Sequence, residues 1–567
     1  MFKTEGLRPR GSRRVMYVSD PSSVASRYLP EPVREEDLRS WIDAIAAADI
    51  DTFVQEVYTQ GWSVYWRGDT FEYDARPQHR RFLPLLDAGV QPVEILIDQC
   101  HRHGIEFFAG FRVNDNHGPV STGQGVGAGA SFVADNSHLQ ITEFPEEGEH
   151  YPTSTPLDFT HEEVRDFIVS VVTEMASRFA IDGVELCYRD HRYFPPDTGA
   201  ERRDLMTSML GKIRTVLNEP STHTGKPIVF GAHVFSSLRE CRDMGLDVAE
   251  WIRGGMVDFI APTDIMHADF NAAYEEFAEL TRASDCMLYP GIMPWTSVGS
   301  RRRLKEGTIS NDTQRALAQN IYGAGADGIS LYNHHECMRG GNSWGYATAP
   351  FYPFALFDAC DLRDPVRVLQ GRRHYIFDAT WGGYMGFGLD RTSTGAIKAQ
   401  RVILDRTSLP SSGSYRFAVR EHLNEAKAAM LLFRAFHMTL QDRLEVAING
   451  TPVPADELRI RDNEFRVDLR KPIDEKMVEM HMREGYSRKV AESFQPLPDP
   501  PFATCWFALE APPAVHGWNE LQVELVGADP NAGEEIVIEQ VEVFVVPNSE
   551  LRTSKAETEP EPHIVSE

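Results

Sequence analysis

Ile181-Asp-Gly-Val-Glu-Leu-Cys-Tyr-Arg-Asp-His-Arg-Tyr-Phe-Pro-Pro196 is the stretch from which the fold follows. A short apolar run carrying acidic residues leads straight into charged and aromatic side chains, the pattern of a buried parallel strand whose C-terminal end carries chemistry. Side chains alternate along a strand, so Gly183, Glu185 and Cys187 share one face and Val184, Leu186 and Tyr188 the other. Branched apolar residues suit the helix-facing side of a barrel. Glu185 is therefore expected to point inward, where a carboxylate needs partners such as Arg112, while Arg189, Asp190 and His191 reach the mouth.

Working outward, short β-like runs alternate with amphipathic helical patterns from Val15 to about Pro350, the signature of repeated βα units. The candidate strands are Val15 to Ser19, Thr52 to Tyr58, Ile105 to Val113, Asp182 to Tyr188, Pro227 to Phe235, Val257 to Pro262, Met287 to Gly291 and Gly328 to Asn333. Eight such units predict an α/β fold, a (β/α)8 TIM barrel over 15–360. Helices are expected at Glu35 to Ala48, Val93 to His103 and Glu162 to Phe179, the last behind a Thr160/Glu163 capping box. Asp182-Gly183 and Asp327-Gly328 lead into the fourth and eighth strands as an internal echo. The long stretch Asn114 to Pro156, after strand three, reads as a lid or substrate wall.

After Asp361 the pattern becomes antiparallel. Lys398 to Leu404, Ala429 to Phe433, Leu444 to Ile448, Leu521 to Leu525 and Ile536 to Val546, with turns such as Asn449-Gly450 and Pro512-Pro513, predict a jelly-roll-like β-sandwich over 361–548. Residues 1–14 read as a flexible N-terminus and 549–567 as a disordered acidic tail.

A net charge of −27 argues against nucleic acid or an anionic membrane as partner. No apolar run approaches bilayer length and no signal-peptide core follows the basic start, so the expected location is cytoplasmic. Seven scattered cysteines without Cys-x-x-Cys pairs fit neither a disulfide framework nor a zinc ribbon.

The other strand ends converge on one rim. Strand two supplies Glu56 and Tyr58, then Trp62, Tyr65 and Trp66; strand three supplies Arg112, Asn114, Asp115 and His117. Strand five offers His233, strand six Asp264 and His267, strand seven Trp295, and strand eight Asn333, His334 and Glu336. Carboxylates beside indoles and phenols suit a sugar site, where rings stack on sugar faces and acids move protons. His334-His335-Glu336 supplies metal-type ligands, but adjacent residues diverge in an extended chain and no His-Glu-x-x-His appears, so no metal is expected. No cofactor is expected either, because phosphate-cradling glycine motifs are missing.

Three segments resemble the glycosyl-hydrolase-like family 10 barrels. They are Asp51-Thr-Phe-Val-Gln-Glu56-Val-Tyr-Thr-Gln-Gly61-Trp-Ser-Val-Tyr65, then Asp182-Gly183-Val184 through Tyr193-Phe194-Pro195, and Val257-Asp-Phe-Ile-Ala-Pro262. The resemblance implies a carbohydrate-active barrel acting on a polysaccharide or glycan, with strand-four acids at the site. Two departures stand out: Cys187 replaces the family's first strand-four Asp, and Thr263-Asp264 follows the sixth-strand Pro in place of Gln.

The resulting expectation is a glycoside hydrolase in which two carboxyls cleave the glycosidic bond. Glu185 or Asp190 fills one role and Asp264 or Glu336 the other. Arg112, Asn114, Tyr188, His191, His233, Asn333 and His334 orient hydroxyls, and Trp62, Trp66, Trp295 and Trp344 stack. Two rivals remain: a glycan-binding barrel that lost its acid at Cys187, and a metal-dependent hydrolase or lyase using the histidines. The sandwich is open to glycan binding, to covering the barrel, or to forming a homo-oligomer interface.

Overall fold

The computed structural model describes residues 13–58, 62–74, 76–114, 131–142, 156–188, 192–263, 268–294, 310–334, 356, 358–378, 400–462, 475 and 501–548. Its first part is a (β/α)8 barrel of parallel strands β1 (Val15–Ser19), β2 (Thr52–Tyr58), β3 (Glu106–Arg112), β4 (Gly183–Cys187), β5 (Val229–Phe235), β6 (Phe259–Thr263), β7 (Met287–Leu288), β8 (Gly291–Ile292) and β9 (Ile329–Tyr332). The seventh barrel strand, expected as one run, is two halves broken at Tyr289-Pro290. The lower half β7 pairs with β6 and the upper half β8 with β9, so the two ends of the sheet are consecutive in the chain and the barrel closes there.

The Asp-Gly echo belongs to a wider device. Asp182 Oδ2 accepts the Phe107 N–H at 2.9 Å, and Asp327 Oδ2 the Leu288 N–H at 3.0 Å. Asp51 Oδ2 takes Val15 N–H at 3.1 Å, and Asp258 Oδ2 takes Phe230 N–H at 2.8 Å. Every second barrel strand is thus entered through an aspartate that anchors the start of the strand before it. This lies on the N-terminal face, where barrels keep their stability elements. On the same face Arg13, read above as part of the N-terminal segment, is buried against Glu106 at 2.8 Å and over the Phe108 ring at 5.3 Å.

The alternation read from Ile181–Pro196 holds. Val184, Leu186 and Tyr188 join the core between strands and helices, whereas Cys187 joins Met16, Val18, Val54, Phe108, Phe259 and Tyr332 inside the barrel. Glycines shape that interior. A Cβ on Gly183 would stand 2.5 Å from the Phe108 ring, and one on Gly231 2.2 Å from the Phe259 ring, so both positions leave space for those rings to cross the barrel.

The helix Glu162–Arg178 starts without the expected capping box. Its N-cap is His161, because Asp158 Oδ1 accepts Thr160 N–H and turns the chain early, while Arg165 covers the Phe159 and Thr160 carbonyls.

The second part is the antiparallel sandwich. One sheet runs Arg373–Asp378, Ile536–Val546, Ala428–Phe436, Phe502–Ala508 and Arg459–Asp462, with Val402–Leu404 also on Ile536–Val546. The other runs Ser411–Val419, Gly517–Gly527, Arg443–Ile448 and Thr451–Pro452. Asn449 (φ 49°) and Gly450 (φ 79°) make the tight hairpin turn that their pairing predicts. Asn320, on the barrel helix Asn311–Gly323, donates to Ala418 O at 2.8 Å and accepts Arg420 N–H at 2.9 Å, which seats the sandwich on that helix.

Candidate active site

Strand register brings the inward side chains together. Glu56, Gly110, Glu185, Gly231 and Phe259 stand in one row across β2 to β6, and Arg112, Cys187, His233 and Ala261 in the row nearer the C-terminal mouth. Gly110 and Gly231 flank Glu185 on both sides, and the rings of Phe108 and Phe259 stack 5.8 Å apart in the same interior.

The polar groups form a chain. Tyr332, from β9, donates its phenol to Glu56 Oε1 at 2.6 Å, and the Arg112 Nε lies 3.7 Å from the same oxygen. The Tyr332 ring meets the His233 ring edge-on at 4.9 Å, and Cys187 Sγ lies 3.9 Å from the Tyr332 hydroxyl. His233 Nδ1 is 3.6 Å from Glu185 Oε1. Among the described residues, Glu185 Oε2 and both His233 nitrogens are buried with no hydrogen-bond partner. The expected Arg112–Glu185 ion pair does not form, because the guanidinium lies against Glu56 while the carboxyl of Glu185 faces His233.

Several expected site residues lie elsewhere. A bulge between Glu56 and Tyr58 shifts the alternation. Tyr58 therefore leaves the interior and packs on Trp62 and Phe111 at 5.9 and 6.2 Å. Trp62 is no sugar platform: its ring is 1% exposed and sits among Phe132, Phe159 and Phe167. That packing holds its backbone at φ 61°, a strained value for so large a residue. Trp66 is also core, its indole N–H donated to Glu174 Oε1 at 2.8 Å. Asn114 is spent on backbone, donating to the Leu157 and Arg192 carbonyls and accepting Leu157 N–H, which ties together the chain beyond β3 and β4. Tyr188 faces Trp251 on the helix side, where burial pushes its phenol well above the usual range. His334 sits by Tyr17, also on the helix side, and Asn333 ends β9 at φ 51°.

Asp115, His117, Arg189, Asp190, His191, Asp264, His267, Trp295, His335, Glu336 and Trp344 lie outside the described residues. So does most of Asn114 to Pro156; within its described part, Phe132 stacks on Phe167 at 4.2 Å.

Residues 17–212 match the family model Glycosyl hydrolase-like 10. The matched segment carries Glu56, Arg112, Glu185 and Cys187; His233 and Tyr332 come from strands beyond it. No curated protein matches the chain. Among solved structures, the alpha-L-fucosidase isoenzyme 2 from Paenibacillus thiaminolyticus is similar at 11% identity over 63% of this chain and 49% of its own, with a TM-score of 0.39. The chain thus spans about half the length of that enzyme. The PgaB (BpsB) glycoside hydrolase domain from Bordetella bronchiseptica is similar at 14% identity over 62% and 98%, with a TM-score of 0.39. An alpha-amylase from Geobacillus thermoleovorans is similar at 10% identity over 93% and 100%, with a TM-score of 0.41. No residue assignment follows from likeness at this level.

The matched segment holds a second buried polar group that sequence reasoning missed. Beyond β1 and β2, Ser22 Oγ meets His79 Nε2 at 2.9 Å, His79 lies 3.2 Å from Asp74, and Arg76 bridges Asp74 and Ser22. Asp74 and Ser22 share one ring nitrogen, so this is a tie between two loops and not a nucleophile with its base. Burial and the Arg76 charge push the His79 imidazole down to about 4, against the opposing pull of Asp74. Among the described residues no group of three or more His, Cys, Asp or Glu is placed to hold a metal ion, and no helix is long and apolar enough to cross a membrane.

Proposed function

We propose that the chain is a glycoside hydrolase that cleaves a polysaccharide or other glycan at the C-terminal mouth of the barrel, with Glu185 as one of two acting carboxyls. The observation that carries this reading is the placement of Glu185. It is an inward carboxyl on the fourth strand, 1% exposed, with one oxygen unpartnered and an imidazole 3.6 Å from the other. Such a group does little for stability and suits proton transfer to a substrate oxygen. The match of residues 17–212 to a glycosyl-hydrolase-like family supports the substrate class. Asp190, Asp264 and Glu336 stand as further candidate acids from the sequence.

A second reading, a glycan-binding barrel without hydrolysis, is favoured by Cys187. This thiol occupies the family's Asp position and faces the same interior as Glu185. The test is a screen of diverse polysaccharides and aryl glycosides with chromatographic product analysis, run on wild type and Glu185→Gln. Hydrolysis that falls at least about 100-fold in the variant supports the first reading. Binding without products supports the second. Activity that disappears after exhaustive chelation and returns with a divalent metal overturns both in favour of metal-dependent chemistry.

A further inference from the structure

We infer that the second acting carboxyl is Glu56 on β2, held as a carboxylate by Tyr332 and Arg112, so that the acid missing at Cys187 is supplied from a different strand. The inference rests on the hydrolase reading above. Glu56 and Glu185 stand in the same row, both paired in register with Gly110 between them, so the two carboxyls rise from the same depth with no side chain separating them.

Their surroundings differ in kind. Glu56 Oε1 accepts the Tyr332 hydroxyl at 2.6 Å, with a guanidinium 3.7 Å away, and both favour a negative charge on that oxygen. Among the described residues Glu185 Oε2 has no hydrogen-bond partner, and Oε1 has only the His233 imidazole 3.6 Å away. A site that surrounds two carboxyls in this way points to different roles for them: the supported one as base, the other as acid.

The step balances without a cofactor. Glu185 gives its proton to the glycosidic oxygen as the bond from that oxygen to the anomeric carbon breaks, the bonding pair staying on oxygen. A water oxygen forms the new bond to the anomeric carbon and its proton passes to Glu56. One glycosidic bond and one water become two hydroxyls, and a proton carried from Glu56 to Glu185 through solvent resets the pair. Tyr332 touches no reacting atom in this scheme; it is a positioning residue that keeps Glu56 charged.

The experiment compares wild type, Glu56→Gln, Glu185→Gln and Tyr332→Phe on the glycan found by the screen and on the matching 2,4-dinitrophenyl glycoside, whose leaving group needs no proton. Glu56→Gln is expected to lose at least about 100-fold on both substrates. Glu185→Gln is expected to lose as much on the glycan and to keep most of its rate on the dinitrophenyl glycoside. Tyr332→Phe is expected to stay active with the acid limb of its kcat/KM profile moved up by about one pH unit. Should Glu56→Gln unfold, Tyr332→Phe decides alone, because loss of a phenol hydroxyl from a purely structural role leaves that limb in place. Wild-type hydrolysis with Glu56→Gln within tenfold, or with the Tyr332→Phe limb unmoved, overturns the assignment and leaves the hydrolase reading standing. A wild type that cleaves no glycan or glycoside overturns both.

Discussion

His233 Nδ1 faces Glu185 Oε1 across 3.6 Å, too far for a hydrogen bond, and among the described residues Glu185 Oε2 and His233 Nε2 have no hydrogen-bond partner. Burying an unsupported carboxyl opposes folding, and such groups persist where chemistry needs them. Glu185→Gln, close in size and free of charge, should therefore unfold in urea with a stability equal to wild type or higher by about 1 kcal/mol, while activity falls. A loss of more than about 2 kcal/mol would make Glu185 a structural group and remove its role in the chemistry.

The aspartates under the barrel predict the reverse pattern. Asp258 is buried, accepts the Phe230 N–H and lies 2.6 Å from the equally buried Arg214. Asp258→Ala strands that guanidinium and should lower stability by about 3 to 5 kcal/mol. Asp327→Ala leaves mainly the Leu288 N–H unpaired and should lower it by about 1 to 3 kcal/mol. Both lie on the face opposite the site, so kcat measured well below the melting temperature should match wild type. A kcat change without a stability change would refute this division of labour.

Those aspartates also mark where the sequence was and was not legible. The Asp182 and Asp327 echo stood out because glycine follows each; Asp51 and Asp258 do the same work ahead of Thr52 and Phe259, so the repeat lay in the backbone geometry rather than in the letters. Alternation alone turned Glu185 inward, and the same argument applied to Gly328, Ser330 and Tyr332 would have found Tyr332. The bulge after Glu56 has no such signature, so Tyr58 was read on the wrong face. Trp62 and Trp66 misled because an aromatic near a strand end serves a loop core as readily as a sugar, and only their contacts with Phe132, Phe167 and Glu174 separate the two. In the sandwich, Ser411–Val419 begins with Ser-Ser-Gly-Ser and Phe502–Ala508 follows a Pro-rich run, so neither displayed the apolar alternation that marked Ile536–Val546.

The tie between the β1 and β2 loops carries a pH dependence whose sign is fixed. His79 titrates at about 4 in the folded protein against about 6.5 unfolded, so between these values the unfolded chain holds the extra proton. Stability is full above about pH 6.5, falls as pH drops toward 4, and loses on the order of 3 kcal/mol through this group. His79→Gln, able to keep a hydrogen bond to Ser22, should flatten that slope. Urea midpoints at pH 7, 5.5 and 4.5 for both proteins check it, and parallel slopes would place the acid sensitivity elsewhere.

The ring beside Gly231 yields a test that couples packing to chemistry. A methyl at Gly231 would come within 2.2 Å of the Phe259 ring, and Gly231 stands in register with Glu185. Gly231→Ala should therefore lower stability by about 1 to 3 kcal/mol as the ring is driven off its rotamer. Because Phe259 and Glu185 stand in one row on either side of Gly231, the rate on a cleaved glycan should fall at temperatures where the variant is still folded. Phe259→Leu in the same chain frees the space the methyl needs, so the double variant should recover stability relative to the sum of the two single changes, giving an interaction energy of about 1 kcal/mol or more. Simple additivity would mean that Phe259 does not meet residue 231.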